Sequence, residues 1–567
     1  MGIDITVKIG GEAGQGIQTV GDLLTLVCQA AGLYTMATNE FESRIRGGNS
    51  FFQIRISDQP VAAPFHNVHL LMALNQETYD LYRKEVVPDG LVVMGEVKKT
   101  VEANICEAPL GDLAKKAGGR IFTNTVAAGA CLSLLGAPFD LFKTILSNRF
   151  GPKGLGIIDK NVHAGELGYQ AVKDVPFKWA FGWQPGSSKG ALMTGSKAIA
   201  LGALAADCRL AAFYPMSPAT GVITELALFV DDFPLVVEQA EDEIAAVNMI
   251  IGASFAGVRA MTATSGGGFC LMTEGLGLAA ITETPIVIVN AQRPGPATGL
   301  PTRTGQGDLQ FVIHASQDAF PRFIFAPGTP EEAFDVTVRA FHLAEKFQVP
   351  AIILSDKYLA DSIFTVGEKL SAPKLVKRFI VTDDDIKTPE RYQRFAVTPT
   401  GVSPRALPCA GKSLVVVSSD EHRQDGHVSE EIKDRLDMVH KRDAKLPRMI
   451  QEMNPPEKYH GEAETLLVSW GSTKGAVQEA VDALREEGLD VGSLNFVDLW
   501  PFPCKSADAI LKKAKRFLVV EQNSTAQLGQ LIKEQLGRCF STAILKYDGR
   551  PFFPSEIIER FKHDARS

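Results

Sequence analysis

Apolar residues fall at every second position of Ile3-Asp4-Ile5-Thr6-Val7-Lys8-Ile9, the spacing of a half-buried strand. A glycine-rich turn follows and leads into an apolar-periodic helix over about 17–31. Further strands are predicted at 50–56, 69–74 and 91–94 with helices between them, so the alternation of strand and helix runs to about residue 175. Gly182, Pro185, Gly186, Ser187, Ser188 and Gly190 then interrupt the periodicity and predict a boundary within 179–190. Beyond it, short apolar runs at 210–213, 235–237, 258–263, 285–291, 322–326 and 350–354 alternate with helical runs at 191–206, 240–256, 268–281 and 330–346. Strands apolar on both faces and separated by helices predict a parallel sheet covered on both sides. From 369 to 462 the texture becomes charged and turn-rich, with Asp383-Asp384-Asp385 and a charge-dense helix near 428–445, and reads as an extended connection wrapping the surface. Strands at 465–469, 491–496 and 516–520 with helices at 473–487, 505–514 and 525–537 restore the first pattern. The fold class is α/β, in four regions: 1–180, 190–368, 369–462 and 463–567.

Composition narrows the functional classes. A chain of 567 residues with 45% hydrophobic and 22% charged residues has room for about three or four domains and excludes wholesale disorder or a fibrous repeat. Lys and Arg number 58 against 66 Asp and Glu, a formal charge of −8 with both signs interspersed. No basic tract of the kind that neutralises phosphates stands out, which argues against nucleic acid as a partner. Apolar runs such as 23–28 and 286–291 are far shorter than the roughly 20 residues of a bilayer span, so no membrane segment is expected. The opening residues show no secretory pattern and predict a cytoplasmic protein. Eight cysteines, none in a C-x-x-C and the closest two 25 positions apart, suit buried thiols in a reducing compartment and not a metal or cluster site within the chain.

Five stretches carry candidate chemistry. Gly10-Gly11-Glu12-Ala13-Gly14-Gln15-Gly16 sits between a strand and a helix, where backbone N–H groups can hold an anion or simply make a tight turn. Thr19 stands where a dinucleotide fingerprint needs its third glycine, so that reading fails. Tyr214-Pro215-Met216-Ser217-Pro218-Ala219-Thr220 follows a strand at the carboxyl edge of the sheet, where open α/β folds place ligands, although two prolines also make a stiff turn. In Ala240-Glu241-Asp242-Glu243 the acids suit a helix N-terminus, but Glu243 shares a face with Val247, Ile250 and Ile251, and an inward carboxyl there is a candidate proton handler. Thr262-Ala263-Thr264-Ser265-Gly266-Gly267-Gly268 and the run from Arg293 to Arg303 leave the same sheet edge. Arg293 and Arg303 read either as surface arginines or as clamps on a carboxylate.

Taken together these motifs identify a family. Tyr-Pro-Met-Ser-Pro-Ala-Thr resembles the Tyr-Pro-Ile-Thr-Pro signature of the thiamine-dependent 2-oxoacid:ferredoxin oxidoreductases. Glu-Asp-Glu-Ile-Ala-Ala, Thr-Ala-Thr-Ser-Gly and Gln-Arg-Pro-Gly-Pro-Ala-Thr-Gly-Leu-Pro-Thr follow in that family's order. Arg44-Ile45-Arg46-Gly47-Gly48 and Val519-Val520-Glu521-Gln522-Asn523 extend the likeness over nearly the whole chain, as an α subunit with a γ module fused in front. That arrangement most resembles the 2-oxoglutarate enzymes. The segment Ile313-His314-Ala315-Ser316-Gln317-Asp318 departs from the family's pattern.

The resemblance implies a γ-type α/β domain, a pyrimidine-type thiamine-diphosphate-binding domain and a C-terminal transketolase-C-like domain. It implies thiamine diphosphate shared with a separate β subunit that holds Mg2+ and a [4Fe-4S] cluster, since this chain has neither a Gly-Asp-Gly motif nor closely spaced cysteines. Glu243 aligns with the glutamate that bonds the aminopyrimidine, Pro215 and Met216 with residues lining it, and Ser217 with a threonine reaching substrate. Arg293, assisted by Thr302, would bind the substrate carboxylate, and Arg303 a second one; no residue is assigned to a metal. Coenzyme A is the implied co-substrate, ferredoxin the electron acceptor, and a dimer of αβ units the assembly. The expected reaction is oxidative decarboxylation of 2-oxoglutarate to succinyl-CoA and CO2, or its reverse. Pyruvate or another 2-oxoacid is the alternative substrate; a transketolase-like transferase and a non-catalytic assembly subunit are the alternatives of other kinds.

Overall fold

Alternation in the first strand is realised as an antiparallel ladder: in a computed structural model, Asp4–Glu12 pairs with Asn49–Ser57, setting Ile5 against Ile56, Val7 against Ile54 and Ile9 against Phe52. The structure describes residues 3–12, 14–42, 48–95, 104–176, 179, 181–367, 370–371, 376–386 and 392–564. Ala13 and the motif residues Arg44, Ile45, Arg46 and Gly47 lie outside them. The chain divides into two units, 1–193 with 362–369 and 553–555, and the remainder.

The first unit is built on an eight-stranded sheet in the order Ile105–Glu107, Val86–Met94, Val68–Ala73, Asp4–Glu12, Asn49–Ser57, Tyr34–Glu40, Ile363–Val366 and Ala191–Thr194. The helices Ile17–Ala30 and Thr123–Leu134 bury Val20, Leu23, Leu24, Val126 and Leu132 against Val7, Ile9 and Ile54. Residues 191–206, read as one helix, begin instead as the strand Ala191–Thr194. Helix starts only at Gly195, because the Thr194 hydroxyl caps it by accepting from the Lys197 backbone N–H at 3.1 Å.

The second unit holds two sheets. Its seven-stranded sheet runs Asp498–Trp500, Phe323–Phe325, Ala351–Asp356, Val287–Gln292, Arg259–Thr264, Cys208–Phe213 and Val236–Gln239. All neighbours are parallel except Asp498–Trp500, which covers the edge at Phe323–Phe325 in antiparallel sense. The run at 268–281 is two helices, Gly266–Leu271 and Thr273–Ile281, parted at Met272. The five-stranded sheet runs Glu457–Tyr459, Val491–Phe496, Thr465–Trp470, Arg516–Glu521 and Thr542–Leu545. The α/β class expected for the strand-rich regions is what the chain adopts.

Glu521-Gln522-Asn523 joins the two sheets. The buried Glu521 carboxylate accepts from Trp470 Nε1, Asn523 Nδ2 and the backbone of Leu528 and Gly529. The Gln522 backbone exchanges hydrogen bonds with Gln306, whose side chain also donates to the Trp470 carbonyl at 2.8 Å.

Arg378, Arg394, Lys441 and Lys445 of the charged stretch reach the N-terminal ends of the seven-stranded sheet, the edge opposite the Pro- and Gly-rich loops. Glu283, at φ +49 before the strand Val287–Gln292, accepts from Lys441 Nζ at 2.5 Å and Lys445 Nζ at 2.7 Å. Both lysines are about 1% exposed. Arg394, 3% exposed, donates to the Glu283 carbonyl at 2.8 Å and to Gln348 Oε1 at 2.8 Å. Glu345 plays the same part nearby, taking Arg259 at 2.8 Å and Arg378 at 2.7 Å.

Candidate functional site

Three adjacent strands of the seven-stranded sheet, Cys208–Phe213, Arg259–Thr264 and Val287–Gln292, end at one edge in the Pro- and Gly-rich loops singled out by sequence. Glu243 arrives from the neighbouring edge strand Val236–Gln239. The Ala240 backbone N–H donates to the Phe213 carbonyl at 2.7 Å, and the chain turns into the helix Glu243–Phe255. Asp242 caps that helix, its carboxylate accepting from the Ala245 backbone at 2.7 Å. Capping is thereby done by one acid and the next is turned inward: Glu243 is 3% exposed.

Glu243 Oε1 is buried without a hydrogen-bond partner. A Cβ placed on Gly268 would lie 2.6 Å from Glu243 Oε1 and 2.1 Å from Thr264 Oγ1, so only glycine leaves this carboxyl its space. Thr264 Oγ1 is 3.8 Å from Met216 Sδ. Met216, Thr264, Gly268 and Glu243 thus form one contiguous patch. Leaving a carboxyl oxygen buried and unbonded costs about 1–3 kcal/mol, which marks a group kept for something other than stability.

The loops after Phe213 and Gln292 are tied together: Arg293 Nη1 donates to the Ser217 carbonyl at 2.6 Å. Pro215 and Ser217 are exposed, Met216 and Arg293 half-buried, and Thr302 buried. Arg303, next to Thr302 in the chain, packs on the turn at Gly549, whose carbonyl accepts from the Thr304 backbone at 3.0 Å.

Sequence reasoning missed Asp308. Its Oδ2 accepts from Asn290 Nδ2 at 3.1 Å, and its backbone N–H donates to Gln292 Oε1 at 3.1 Å. Burial raises its pKa above the ordinary aspartate value, against the opposing pull of Asn290 and Arg293. Burial likewise lowers the pKa of Arg293, against the pull of Asp308. Asn290 Oδ1 and Ser265 Oγ close by in the sheet edge are buried without partners. Gly-Asp-Leu carries no recognisable pattern in isolation; only the fold brings Asp308 beside Asn290.

A second concavity belongs to the first unit. The glycine-rich turn borders a cleft of about 830 Å³ whose lining includes Gly14, Gln15, Asn75, Lys115, Arg120 and Asn124. Gly16 precedes the helix Ile17–Ala30 at φ +74 with Asn124 Nδ2 only 1.8 Å from where a Cβ would stand, a position that favours glycine. Among the described residues no group of three or more His, Cys, Asp or Glu is placed to hold a metal ion, and no helix is long and apolar enough to cross a membrane.

Comparison with known proteins covers the chain almost completely. A thiamine-diphosphate-binding model of pyruvate flavodoxin/ferredoxin oxidoreductase matches residues 201–441, a pyruvate ferredoxin/flavodoxin oxidoreductase model 6–171, and the pyruvate:ferredoxin oxidoreductase core domain II 463–557. A 2-oxoacid:ferredoxin oxidoreductase α subunit from Sulfolobus is 32% identical over 97% of this chain and 95% of its own. The chain belongs to the 2-oxoacid:ferredoxin oxidoreductases, as an α subunit. The 2-oxoglutarate synthase subunit KorA of Methanothermobacter thermautotrophicus is 34% identical over 64% of this chain and 96% of its own. A solved 2-oxoglutarate:ferredoxin oxidoreductase from Magnetococcus marinus, with 2-oxoglutarate, coenzyme A and succinyl-CoA bound, superposes with a TM-score of 0.91 at 31% identity, covering 99% of both chains.

The site suits the cofactor of this family. The thiamine-diphosphate-binding segment contains the patch around Glu243, and a buried carboxyl oxygen lacking a partner, with room kept open by Gly268, fits a flat heterocycle presenting a ring nitrogen.

Proposed function

We propose that this chain is the α subunit, with a γ-type module at its N-terminus, of a 2-oxoglutarate:ferredoxin oxidoreductase. The enzyme converts 2-oxoglutarate and CoA to succinyl-CoA and CO2, or runs in reverse. A separate β subunit carries Mg2+ and a [4Fe-4S] cluster and passes electrons to ferredoxin, in a dimer of αβ units in the cytoplasm. The observation that carries this reading is the buried, unpartnered Oε1 of Glu243 at the sheet edge shared with Arg293. The full-length likeness to a 2-oxoglutarate enzyme supports the substrate.

In this reading Glu243 bonds the aminopyrimidine of thiamine diphosphate, with Pro215 and Met216 lining the ring. The cofactor, when bound, supplies a carbon nucleophile for the 2-oxo group and a sink for the electrons of the bond that breaks. Glu243 holds a proton at the ring nitrogen, and no donor among the described residues bonds its Oε1. Arg293 binds the carboxylate next to the 2-oxo group, Ser217 and Thr302 offer it hydroxyls, and Arg303 serves the distal carboxylate. Replacing Arg293 by Ala is expected to raise KM for the 2-oxoacid by at least about tenfold, since a charge-assisted contact is lost; steady-state kinetics with varied 2-oxoacid check this.

The cleft beside Gly14 and Gln15 takes the phosphates of CoA, which Lys115, Arg120 and the adjoining helix starts attract. Converting Lys115 and Arg120 together to Ala should raise KM for CoA about tenfold and leave KM for the 2-oxoacid unchanged.

The function itself is tested by viologen reduction in the complex co-purified with its β subunit. CoA-dependent reduction with 2-oxoglutarate is the expected result. Reduction with pyruvate alone would move the substrate to pyruvate, for which the matching family models are named, and no reduction with any 2-oxoacid would reject the reading.

A further inference from the structure

The run from Arg293 to Arg303 folds on itself at its tip, where the Leu300 N–H donates to the Pro294 carbonyl at 2.9 Å and residues 295–300 are exposed. Its downstream end is clasped by the five-stranded sheet. Gln306, fully buried, gives its backbone N–H to the Gln522 carbonyl at 2.8 Å and takes the Gln522 N–H on its own Oε1 at 3.0 Å. Its carbonyl accepts from Asn523 Nδ2 at 3.1 Å, and its Nε2 donates to the Trp470 carbonyl at 2.8 Å. Gln527 repeats the exchange beside it. Its Nε2 donates to the Gly307 carbonyl at 2.8 Å, its Oε1 accepts from the Gln310 N–H at 3.1 Å, and its carbonyl accepts from Gln310 Nε2 at 3.0 Å. Just upstream, Thr304 Oγ1 donates to Asp356 Oδ1 at 3.1 Å. Amides both donate and accept without charge, so this dense set of bonds puts no ion into competition with a carboxylate-binding run. The five-stranded sheet supplies none of the candidate site residues, yet it fixes the chain within a few residues of Thr302 and Arg303.

We propose that Gln306 is a positioning residue, the centre of an amide clasp through which the C-terminal sheet holds the run from Arg293 to Arg303 in the arrangement that binds the 2-oxoacid. The inference rests on that run being the carboxylate site. A loop free to leave its binding arrangement loses apparent affinity in proportion to the time it spends elsewhere. At saturating 2-oxoacid the ligand itself restores the arrangement, and the chemistry at Glu243 proceeds as before. Loosening the clasp therefore weakens substrate binding and spares the bond-breaking step. Loss of a residue that served the fold alone does the reverse, because it lowers the amount of active enzyme, and so kcat, without changing KM.

The test compares the co-purified complex with two variants. Gln306→Met keeps the length of the side chain and removes both of its hydrogen bonds; Gln527→Ala removes the second exchange from a half-buried position and decides alone if Gln306→Met fails to assemble. KM for 2-oxoglutarate, or for pyruvate if the complex turns over only that, should rise about tenfold in Gln306→Met and about threefold in Gln527→Ala, with kcat within about threefold of wild type. Amide hydrogen exchange in Gln306→Met should quicken over 294–303 and stay unchanged over the strands Arg259–Thr264 and Val287–Gln292. A lower kcat at unchanged KM, or exchange over 294–303 that matches the wild type, overturns the proposal. Arg293→Ala separates it from the reading beneath it. If that variant raises KM and neither clasp variant does, only the role of Gln306 is lost; if none of the three raises KM, the run is not the carboxylate site and both fall.

Discussion

Replacing Glu243 by Gln in the assembled enzyme is expected to lower turnover by about 10²–10⁴-fold, the range that a positioned proton-handling group contributes. The protein should be as stable as the wild type or slightly more so. Glu243 Oε1 has no partner within the chain, so no internal hydrogen bond is broken, and a neutral amide is less costly to bury than a carboxyl that can ionise. Loss of activity with an unchanged or raised melting temperature separates a chemical role from a structural one, because a residue that served packing or capping would lower both. Capping belongs to Asp242. Turnover within a few-fold of wild type would remove Glu243 from the chemistry.

Glu283→Gln should have the opposite profile, leaving the loops at the other sheet edge intact and destabilising the fold by about 3–5 kcal/mol, the scale for leaving buried charge uncompensated. Lys441, Lys445 and Arg394 would remain buried around a neutral amide. Burial brings the Lys445 ammonium down to about 8 even with Glu283 beside it, and the other cations add to that. Burial alone would raise the Glu283 carboxyl, but Lys441, Lys445 and Arg394 together hold it well below its ordinary value of 4.5. A folded-state pKa below the unfolded one means stability that is complete above about 4.5 and declines as pH falls. Denaturant unfolding should therefore show the gap between wild type and Glu283→Gln at its full size near neutrality and narrowing below pH 4.5. A gap that stays constant down to acid pH would show that the cluster is not held by charge.

These two sites also mark how far the amino-acid sequence could be read. The parallel sheet of the second unit was legible because strands buried on both faces must be apolar runs, and 258–263 and 285–291 are such runs. Glu243 was legible because its helical face carries Val247, Ile250 and Ile251. Lys441, Lys445 and Arg394 were not, since a lysine-rich, aspartate-rich helix has the composition of a solvated surface and nothing local pairs it with a glutamate about 160 positions away. Tyr34–Glu40 escaped notice because its second half, Thr38, Asn39 and Glu40, is polar and its strand character comes from the ladder with Asn49–Ser57. Asp498–Trp500 is three residues beside Pro501, too short to signal by pattern, and exists because the edge at Phe323–Phe325 accepts it. Asp308 depends on Asn290, eighteen positions upstream, for its placement.

That three-residue strand decides where the chain can be divided. Phe323 and Phe325 are fully buried, and without Asp498–Trp500 the backbone at this edge would offer unpaired N–H and C=O groups flanked by aromatic side chains. A bare, apolar edge of this kind is a template for pairing with another copy, and the usual outcome is aggregation. A fragment cut near residue 462 would thus be prone to self-association before any question of activity arises. Shuffling between relatives has to move 194–462 and the C-terminal sheet together, so that the strand and the edge it shields remain a matched pair.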